Sequence, residues 1–372
     1  FDHPWRLTSL VVNQRMHRDQ WRVGVGHVDI DARGAALSLA ATVKGFQTLR
    51  PENHIAAVIL NRTSEGGYRM AKPLIEGECG VPVLGYLPED DAFSLESRHL
   101  GLVTAAEVDD LREKIDAVAD ALVEHVDLER LVDIAQSAPE LSYEPQTVEA
   151  VSCPDGRKPR IAVAWDQAFC FYYAENLKLL EDMGAEVVRF SPIDDDELPE
   201  GTDALYLGGG YPELHAAALT ANGSMRASVR TACAADLPIF AECGGFLYLQ
   251  DELADLDGTV YPMVGAIEAS ARCTGRLTRF GYVMLEARRD NLLCAAGDAI
   301  PAHEFHYYDS SENGDAFRAV KPGSGRSWPC FVARGNLLAG FPHLYFPACP
   351  EAARRLVERA ALHKTKREEE NR

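Results

Sequence analysis

Four short apolar runs, Arg160–Trp165 (RIAVAW), Glu186–Phe190 (EVVRF), Ala204–Leu207 (ALYL) and Leu237–Ala241 (LPIFA), most constrain what this chain can fold into. Each is strand-length, and helix-length segments separate them, one of which ends at Gly184. Strands of this kind need cover on both faces, and helical crossovers supply it, so this part reads as a parallel α/β domain. The first half repeats the pattern: Ile55–Leu60 (IAAVIL) and Val81–Leu87 (VPVLGYL) flank a helix-length segment and make a βαβ unit. Beyond it, Thr104 and Glu107 form a capping-box pair ahead of Val108, Leu111, Ile115, Val118 and Leu122, which predicts an amphipathic helix on that sheet.

Between the halves, periodicity is lost and Pro139, Pro145, Pro154 and Pro159 interrupt a polar stretch. At 372 residues the chain exceeds the roughly 100–200 residues usual for one domain. The expected organisation is a domain over 1–135, a linker over 136–159, a second domain over 160–360 and a charged tail over 361–372. A net charge of −20 with no basic run argues against nucleic-acid binding. No apolar stretch approaches the roughly 20 residues a membrane-spanning helix needs. The nine cysteines are an odd number with no CxxC pair, so reduced thiols in a cytoplasm are expected rather than disulfides or zinc.

The sharpest chemical signal is Ala241-Glu242-Cys243-Gly244-Gly245, at the end of a buried strand and the start of the apolar segment Phe246-Leu247-Tyr248-Leu249. Small residues two before and two after a nucleophile permit the strained strand-to-helix turn of a nucleophile elbow, with helix amides beside the side chain. Here the nucleophile is a thiol, which a helix N-terminus and an imidazole can activate at neutral pH. Gly208-Gly209-Gly210 follows the strand ALYL, and its amides, with that of Gly244, are candidate donors to an oxyanion or to bound glutamine. The base must come from elsewhere, and His215, His303, His306 and His343 are the candidates. His343, in Phe341-Pro342-His343-Leu344-Tyr345-Phe346 after the apolar Leu337-Leu338-Ala339-Gly340, is expected at a strand end.

Six ordered segments carry a family resemblance: Asp166-x-Ala168-Phe169-x-Phe171-Tyr172-Tyr173-x-Glu175-Asn176-Leu177, Phe190-Ser191-Pro192, Gly208 to Glu213, the cysteine elbow, Arg279-Phe280-Gly281-Tyr282 and His303-Glu304-Phe305-His306-Tyr307. Together they closely resemble the cobyrinate a,c-diamide synthases, of the CobB/CobQ-type glutamine amidotransferases. The resemblance implies that 160–360 is a class I, flavodoxin-like glutamine amidotransferase domain. It also implies that Cys243 forms a glutamyl thioester and that His343 activates it. In the first half, Asp31-Ala32-Arg33-Gly34 with Ser38, Val43-Lys44-Gly45-Phe46, Ile59-Leu60-Asn61-Arg62, Leu84-Gly85-Tyr86-Leu87-Pro88 and Ser97-Arg98-His99-Leu100-Gly101-Leu102 resemble the family's ATP-dependent amidoligase domain, itself similar to dethiobiotin synthetase.

Two departures stand out. The family's Gly-rich phosphate loop and Mg²⁺-binding acidic residue are not found: no GxxxxGK[ST] occurs, Gly323-Ser324-Gly325-Arg326-Ser327 lacks the lysine, and Phe1 to Gly26 matches nothing expected there. The sequence therefore reads as a copy with only a partial P-loop domain. At the position two after His343, where triad amidotransferases carry glutamate and this family commonly histidine, stands Tyr345, which cannot supply a carboxylate.

The resemblance implies small-molecule partners: glutamine, ATP with Mg²⁺, and cobyrinate amidated on its a and c carboxylates, with nickel-sirohydrochlorin as an alternative acceptor. A bare glutaminase and a non-catalytic tetrapyrrole-binding fragment are the alternatives from other classes. Attraction of a polycarboxylate acceptor has to be local, and Arg272, Arg276 and Arg279 before Phe280-Gly281-Tyr282 are candidates. The H-E-x-H run at His303, Glu304 and His306 lacks the one-turn spacing of zinc proteases. With Arg279 and Tyr282, these three are read as substrate-facing or interdomain residues, not metal ligands.

Overall fold

Strands buried on both faces organise the molecule: residues 161–164, 204–207, 239–242 and 337–340 are buried at every position. A computed structural model describes residues 26–32, 37–49, 54–95, 108–139, 147–151, 153 and 156–370. The chain divides into two units, Phe1–Pro145 and Gln146–Arg372.

The first unit runs β1 (Gly26–Asp31), α1 (Leu37–Leu49), β2 (Ile55–Asn61), α2 (Glu65–Cys79), β3 (Val83–Tyr86), α3 (Leu111–His125) and α4 (Leu128–Gln136). Its three strands are parallel in the order β1-β2-β3. On β2, Val58 and Leu60 pack with Val43, Ile75 and Val83, while Ala57 and Ile59 pack with Leu84 and Val126 on the other side. Ser64 Oγ caps α2 by accepting the Gly67 N–H at 3.2 Å, and Gly80 ends it with a left-handed φ of 69°. The amphipathic helix starts at Leu111, later than the sequence pattern suggested. Val108 precedes it and Ile115 is 57% exposed, so the buried stripe is built on Ala121 and Leu122 instead. Thr104, Glu107, Arg33, Gly34 and the Ser97 to Leu102 motif lie outside the described residues.

The second unit begins with β4 (Arg160–Ala164), α5 (Ala174–Asp182), β5 (Glu186–Phe190), β6 (Ala204–Leu207), α6 (Ala216–Ala221), α7 (Gly223–Ala234), β7 (Ile239–Glu242) and α8 (Gly244–Tyr248). It continues through β8 (Gln250–Ala254), β9 (Val260–Pro262), β10 (Ile267–Cys273), β11 (Arg279–Ala287), β12 (Ala299–His306), β13 (Tyr308–Ser310), β14 (Phe317–Val320) and β15 (Ser327–Cys330). The remaining elements are β16 (Val332–Arg334), β17 (Leu337–Gly340), β18 (His343–Leu344) and α9 (Pro350–Glu370). A six-stranded sheet in the order β16-β17-β7-β6-β4-β5 is parallel except for β16. Ile161, Val163, Tyr206, Phe240 and Leu338 face one core; Ala162, Ala164, Leu205, Leu207, Ile239, Ala241 and Ala339 face the other.

Two further sheets, in the orders β13-β10-β8-β9 and β15-β14-β11-β12-β18, stand beyond the purely parallel architecture expected from the apolar runs. Their strands alternate buried and accessible residues, as β10 does, and so lack the continuous apolar signal. The charged stretch over 361–372, expected as a solvated helix end or frayed tail, is not solvated throughout. Through Glu370 it is the end of α9, where Lys364 is buried with Nζ donating to the Lys158 carbonyl and Arg367 pairs with Asp203 at 2.8 Å. Among the described residues no helix is long and apolar enough to cross a membrane.

Candidate active site

The carboxyl ends of β6 and β7 lie side by side in the parallel sheet, the position where open α/β sheets bind ligands. β7 delivers Cys243 at its end, with φ 51° and ψ −105°, a conformation costing a non-glycine residue on the order of 1–3 kcal/mol. Its neighbours hold it there: Cys243 N–H donates to Gly340 O and Gly245 N–H to Gly208 O, both at 2.8 Å. A β-carbon at Gly245 would sit 2.3 Å from the Leu207 carbonyl oxygen, so only glycine fits two residues after the thiol. The cysteine framed by glycines thus stands at a strained turn between a strand and a helix.

His343 does not end β17. The strand stops at Gly340, and His343 opens the two-residue β18, which pairs with β12 with His343 opposite His303. A switch between sheets thus brings the imidazole over the elbow. Of the four candidate histidines it is the one that faces Cys243, and its side chain is 15% exposed. Burial by itself would depress its pKa, but the Cys243 thiolate and the Glu242 carboxylate outweigh burial and hold it well above the ordinary imidazole value. His215 stands instead at the head of α6.

The glycine triplet packs directly on this pair. A β-carbon at Gly209 would lie 2.5 Å from His343 Cε1, and one at Gly244 would lie 3.1 Å from Gly210 N, so these three glycines converge beside the thiol. Gly208 plays a different part. Its N–H donates to Tyr172 Oη at 2.8 Å, and the same hydroxyl donates to Ala164 O. The Asp166 motif is a loop anchor: its carboxylate accepts from the amides of Ala168, Phe169 and Ile193 and from Ser191 Oγ.

Strand alternation divides the five residues read as substrate-facing. Glu304 and His306 are buried on the inward face of β12, whereas His303 is on the outward face, stacked edge-on with Tyr282 and Phe280. Arg279 turns inward, 3.9 Å from Glu304 Oε1 and over the Trp328 ring, whereas Arg272 and Arg276 are exposed. Burial, partly offset by Arg279, pushes the Glu304 carboxyl up to about 7. Burial lowers His306 to about 4; its Nδ1 donates to Tyr308 O at 2.7 Å and its ring stacks on Phe341. Glu304 Oε2, His306 Nε2 and Arg279 Nη1 are buried with no hydrogen-bond partner among the described residues.

Two residues that the sequence left without a role support this centre. Asn176, fully buried, donates from Nδ2 to Leu344 O at 2.8 Å and accepts the Phe346 N–H at 2.7 Å, clamping the segment that carries His343. Glu242 lies beside His343 and accepts hydrogen bonds from Tyr206 and Leu344. Asn176 stood inside a quoted motif, and Glu242 inside the elbow, but neither spacing reveals that both reach the residues after position 342.

The fold and this elbow define an enzyme carrying a glutamine amidotransferase domain, and residues 160–349 match the model of the CobB/CobQ-like glutamine amidotransferase domain. Comparison over most of the chain narrows the class. The chain is 36% identical over 335 residues to the cobyrinate a,c-diamide synthase of Caldanaerobacter subterraneus, covering 89% of this chain and 73% of the relative. It is 39% identical over 323 residues to that of Listeria monocytogenes (85% and 70%) and 39% over 341 residues to that of Salmonella typhimurium (88% and 73%). The chain belongs to the cobyrinate a,c-diamide synthase family.

Proposed function

We propose that this chain hydrolyses glutamine at Cys243 and uses the ammonia for ATP-dependent amidation of the a and c carboxylates of cobyrinate, the reaction for which its relatives are named. The observation that carries the reading is the contact of His343 with Cys243 at a strained elbow. His343 takes the thiol proton, and Sγ adds to the side-chain amide carbon of glutamine. The C–N bond then breaks, ammonia leaves with a proton from the imidazolium, and water hydrolyses the thioester to glutamate, restoring the thiol. The amides of Gly209, Gly210 and Gly244 serve the oxyanion, while Gly208, whose N–H is engaged by Tyr172, shapes the loop. Arg279, Glu304 and His306 are assigned to substrate contact because each has one buried polar atom, Nη1, Oε2 and Nε2 respectively, with no hydrogen-bond partner among the described residues. Tyr282 and His303 are assigned to an acceptor-facing surface on the other side of β12.

Amidation calls for ATP and Mg²⁺, and the partial amidoligase assignment of 1–135 rests on the family. Among the described residues no group of three or more His, Cys, Asp or Glu is placed to hold a metal ion. The loop after β2 enters α2 without a lysine, and Ser64 Oγ is engaged by the Gly67 N–H. The loop after β2 therefore supplies no phosphate site, and no step is derived through the nucleotide.

Treatment with diazo-oxonorleucine followed by peptide mass spectrometry is expected to place the adduct on Cys243. An adduct on another cysteine with Cys243 unmodified would overturn the assignment. His343→Ala is expected to lower glutaminase turnover by about 10²-fold or more, as loss of a general base does. Incubation with cobyrinate, glutamine and ATP then separates amidation from bare glutamine hydrolysis: hydrolysis without amidated corrin refutes the ligase part of the reading.

A further inference from the structure

Tyr345 occupies the sequence position where a third catalytic group is expected, yet its ring packs edge-on to Tyr173 with centroids 5.1 Å apart. An imidazolium that forms in a buried site still requires a group that fixes its ring and balances its charge. The titratable and charged groups around His343 come from several elements. The elbow supplies Glu242 and Cys243, and β12 supplies Glu304 and His306, with His303 opposite in register. Arg279 of β11 stands beside Glu304, and Tyr206 and Tyr172 lie against Glu242.

Two carboxylates are in reach, and they differ in what they already hold. Glu304 Oε1 accepts from Trp328 Nε1 at 3.4 Å and faces Arg279. Glu242 is 1% exposed, with Oε1 3.7 Å from His343 Nδ1 and accepting the Tyr206 O–H at 2.7 Å. Its Oε2 accepts the N–H of Leu344, the residue after His343, at 3.0 Å. One side chain therefore faces the ring and holds the backbone that carries it. In a regular strand, consecutive side chains point to opposite faces. The φ of 51° at Cys243 breaks that rule and lets Glu242 and Cys243 reach the same imidazole.

From this geometry we propose that Glu242, the residue immediately before the nucleophile, is the positioning residue for His343, substituting for the carboxylate absent at position 345. It faces Nδ1, leaves Nε2 for the thiol, and stabilises the imidazolium formed when Sγ gives up its proton. At 3.7 Å the contact is longer than a hydrogen bond and acts as a charge at short range in a buried site. The proposal rests on Cys243 and His343 acting as assigned above.

The test is the pH profile of glutaminase kcat/KM, whose alkaline limb reports loss of the imidazolium proton. In Glu242→Gln the limb is expected to move down by about one pH unit or more, with kcat reduced about tenfold and KM for glutamine nearly unchanged. Tyr206→Phe, which frees Oε1 from a competing donor, is expected to move the limb upward, and it decides the matter if Glu242→Gln fails to fold. An unmoved limb in a folded Glu242→Gln protein, or an unmoved or lowered limb in Tyr206→Phe, overturns the proposal. Labelling by diazo-oxonorleucine in the parent protein separates the two readings. No adduct on Cys243 rejects the nucleophile itself, whereas an adduct there with an unmoved limb rejects only the role of Glu242.

Discussion

Gly209→Ala adds a single methyl group beside the candidate catalytic pair. The new β-carbon would stand 2.5 Å from His343 Cε1, 3.4 Å from Nδ1 and 3.4 Å from Phe171 Cβ. Carbon atoms rest at about 3.5–4.0 Å, so something must retreat by about 1 Å. The backbone at Gly209 has no left-handed φ, so alanine is not strained there on its own account. The neighbour that yields is the imidazole, because the nearest atom belongs to a side chain and not to a main chain. Displacement of a reacting group by about 1 Å costs on the order of 10² in rate, while overpacking of this kind costs about 1–3 kcal/mol of stability. Gly210→Ala is the control: its β-carbon would meet the Ala168 carbonyl oxygen at 2.0 Å, a main-chain atom that cannot swing away. Glutaminase turnover and the denaturation midpoint should therefore separate the two variants. Gly209→Ala should fold with turnover down about 10²-fold, and Gly210→Ala should lose stability foremost. Normal turnover in a folded Gly209→Ala protein would refute the placement of His343 as the working imidazole.

Asn176→Ala removes two buried hydrogen bonds to the segment after His343 and is expected to cost about 2–3 kcal/mol, read by chemical denaturation, together with turnover. An unchanged midpoint would show that the clamp contributes nothing. Glu304 and His306 make opposed contributions to stability against pH. Glu304 is raised to about 7, so its folded state keeps a proton that the unfolded chain releases from about 4.5, and stability falls as pH rises across that window. His306 is lowered to about 4 from 6.5, so the unfolded chain binds the proton first, and stability is lost as pH falls from about 6.5 towards 4. Each effect amounts to about 3 kcal/mol and the two nearly cancel between pH 4.5 and 6.5. Relative to the parent, Glu304→Gln should therefore gain stability as pH rises over this range, and a variant profile that runs parallel to the parent's would refute the opposed contributions.

The parts of the fold legible in the sequence were those whose signal is local. The runs at Ile55, Arg160, Glu186 and Ala204 became strands near the expected bounds, because strands buried on both faces must be apolar throughout. The strands β10 to β15 were not legible, since one face of each meets accessible surroundings and their composition stays mixed. The start of α3 shows the competing effect within a helix. The spacing from Val108 to Leu122 is helical, yet the helix begins at Leu111, and the pattern that counts is set by what Ala121, Leu122 and Val126 can bury.

The candidate site divides along the same line. Cys243 could be picked from nine cysteines because an elbow writes its backbone demands into adjacent residues: at Gly245 any β-carbon collides with Leu207, and the small Ala241 sits in the core beneath. The partners of the thiol obey no such local rule. His343 reaches it by leaving the six-stranded sheet after Gly340 and pairing with β12, a crossing between sheets that residues 337–346 do not announce. Glu242 was in plain view next to the nucleophile, but a strand reading sends neighbouring side chains to opposite faces and so removes it from consideration. The strain at Cys243 that exposes the thiol is the same strain that cancels this exclusion. A single irregular φ therefore accounts both for the most legible residue of the site and for the least legible one.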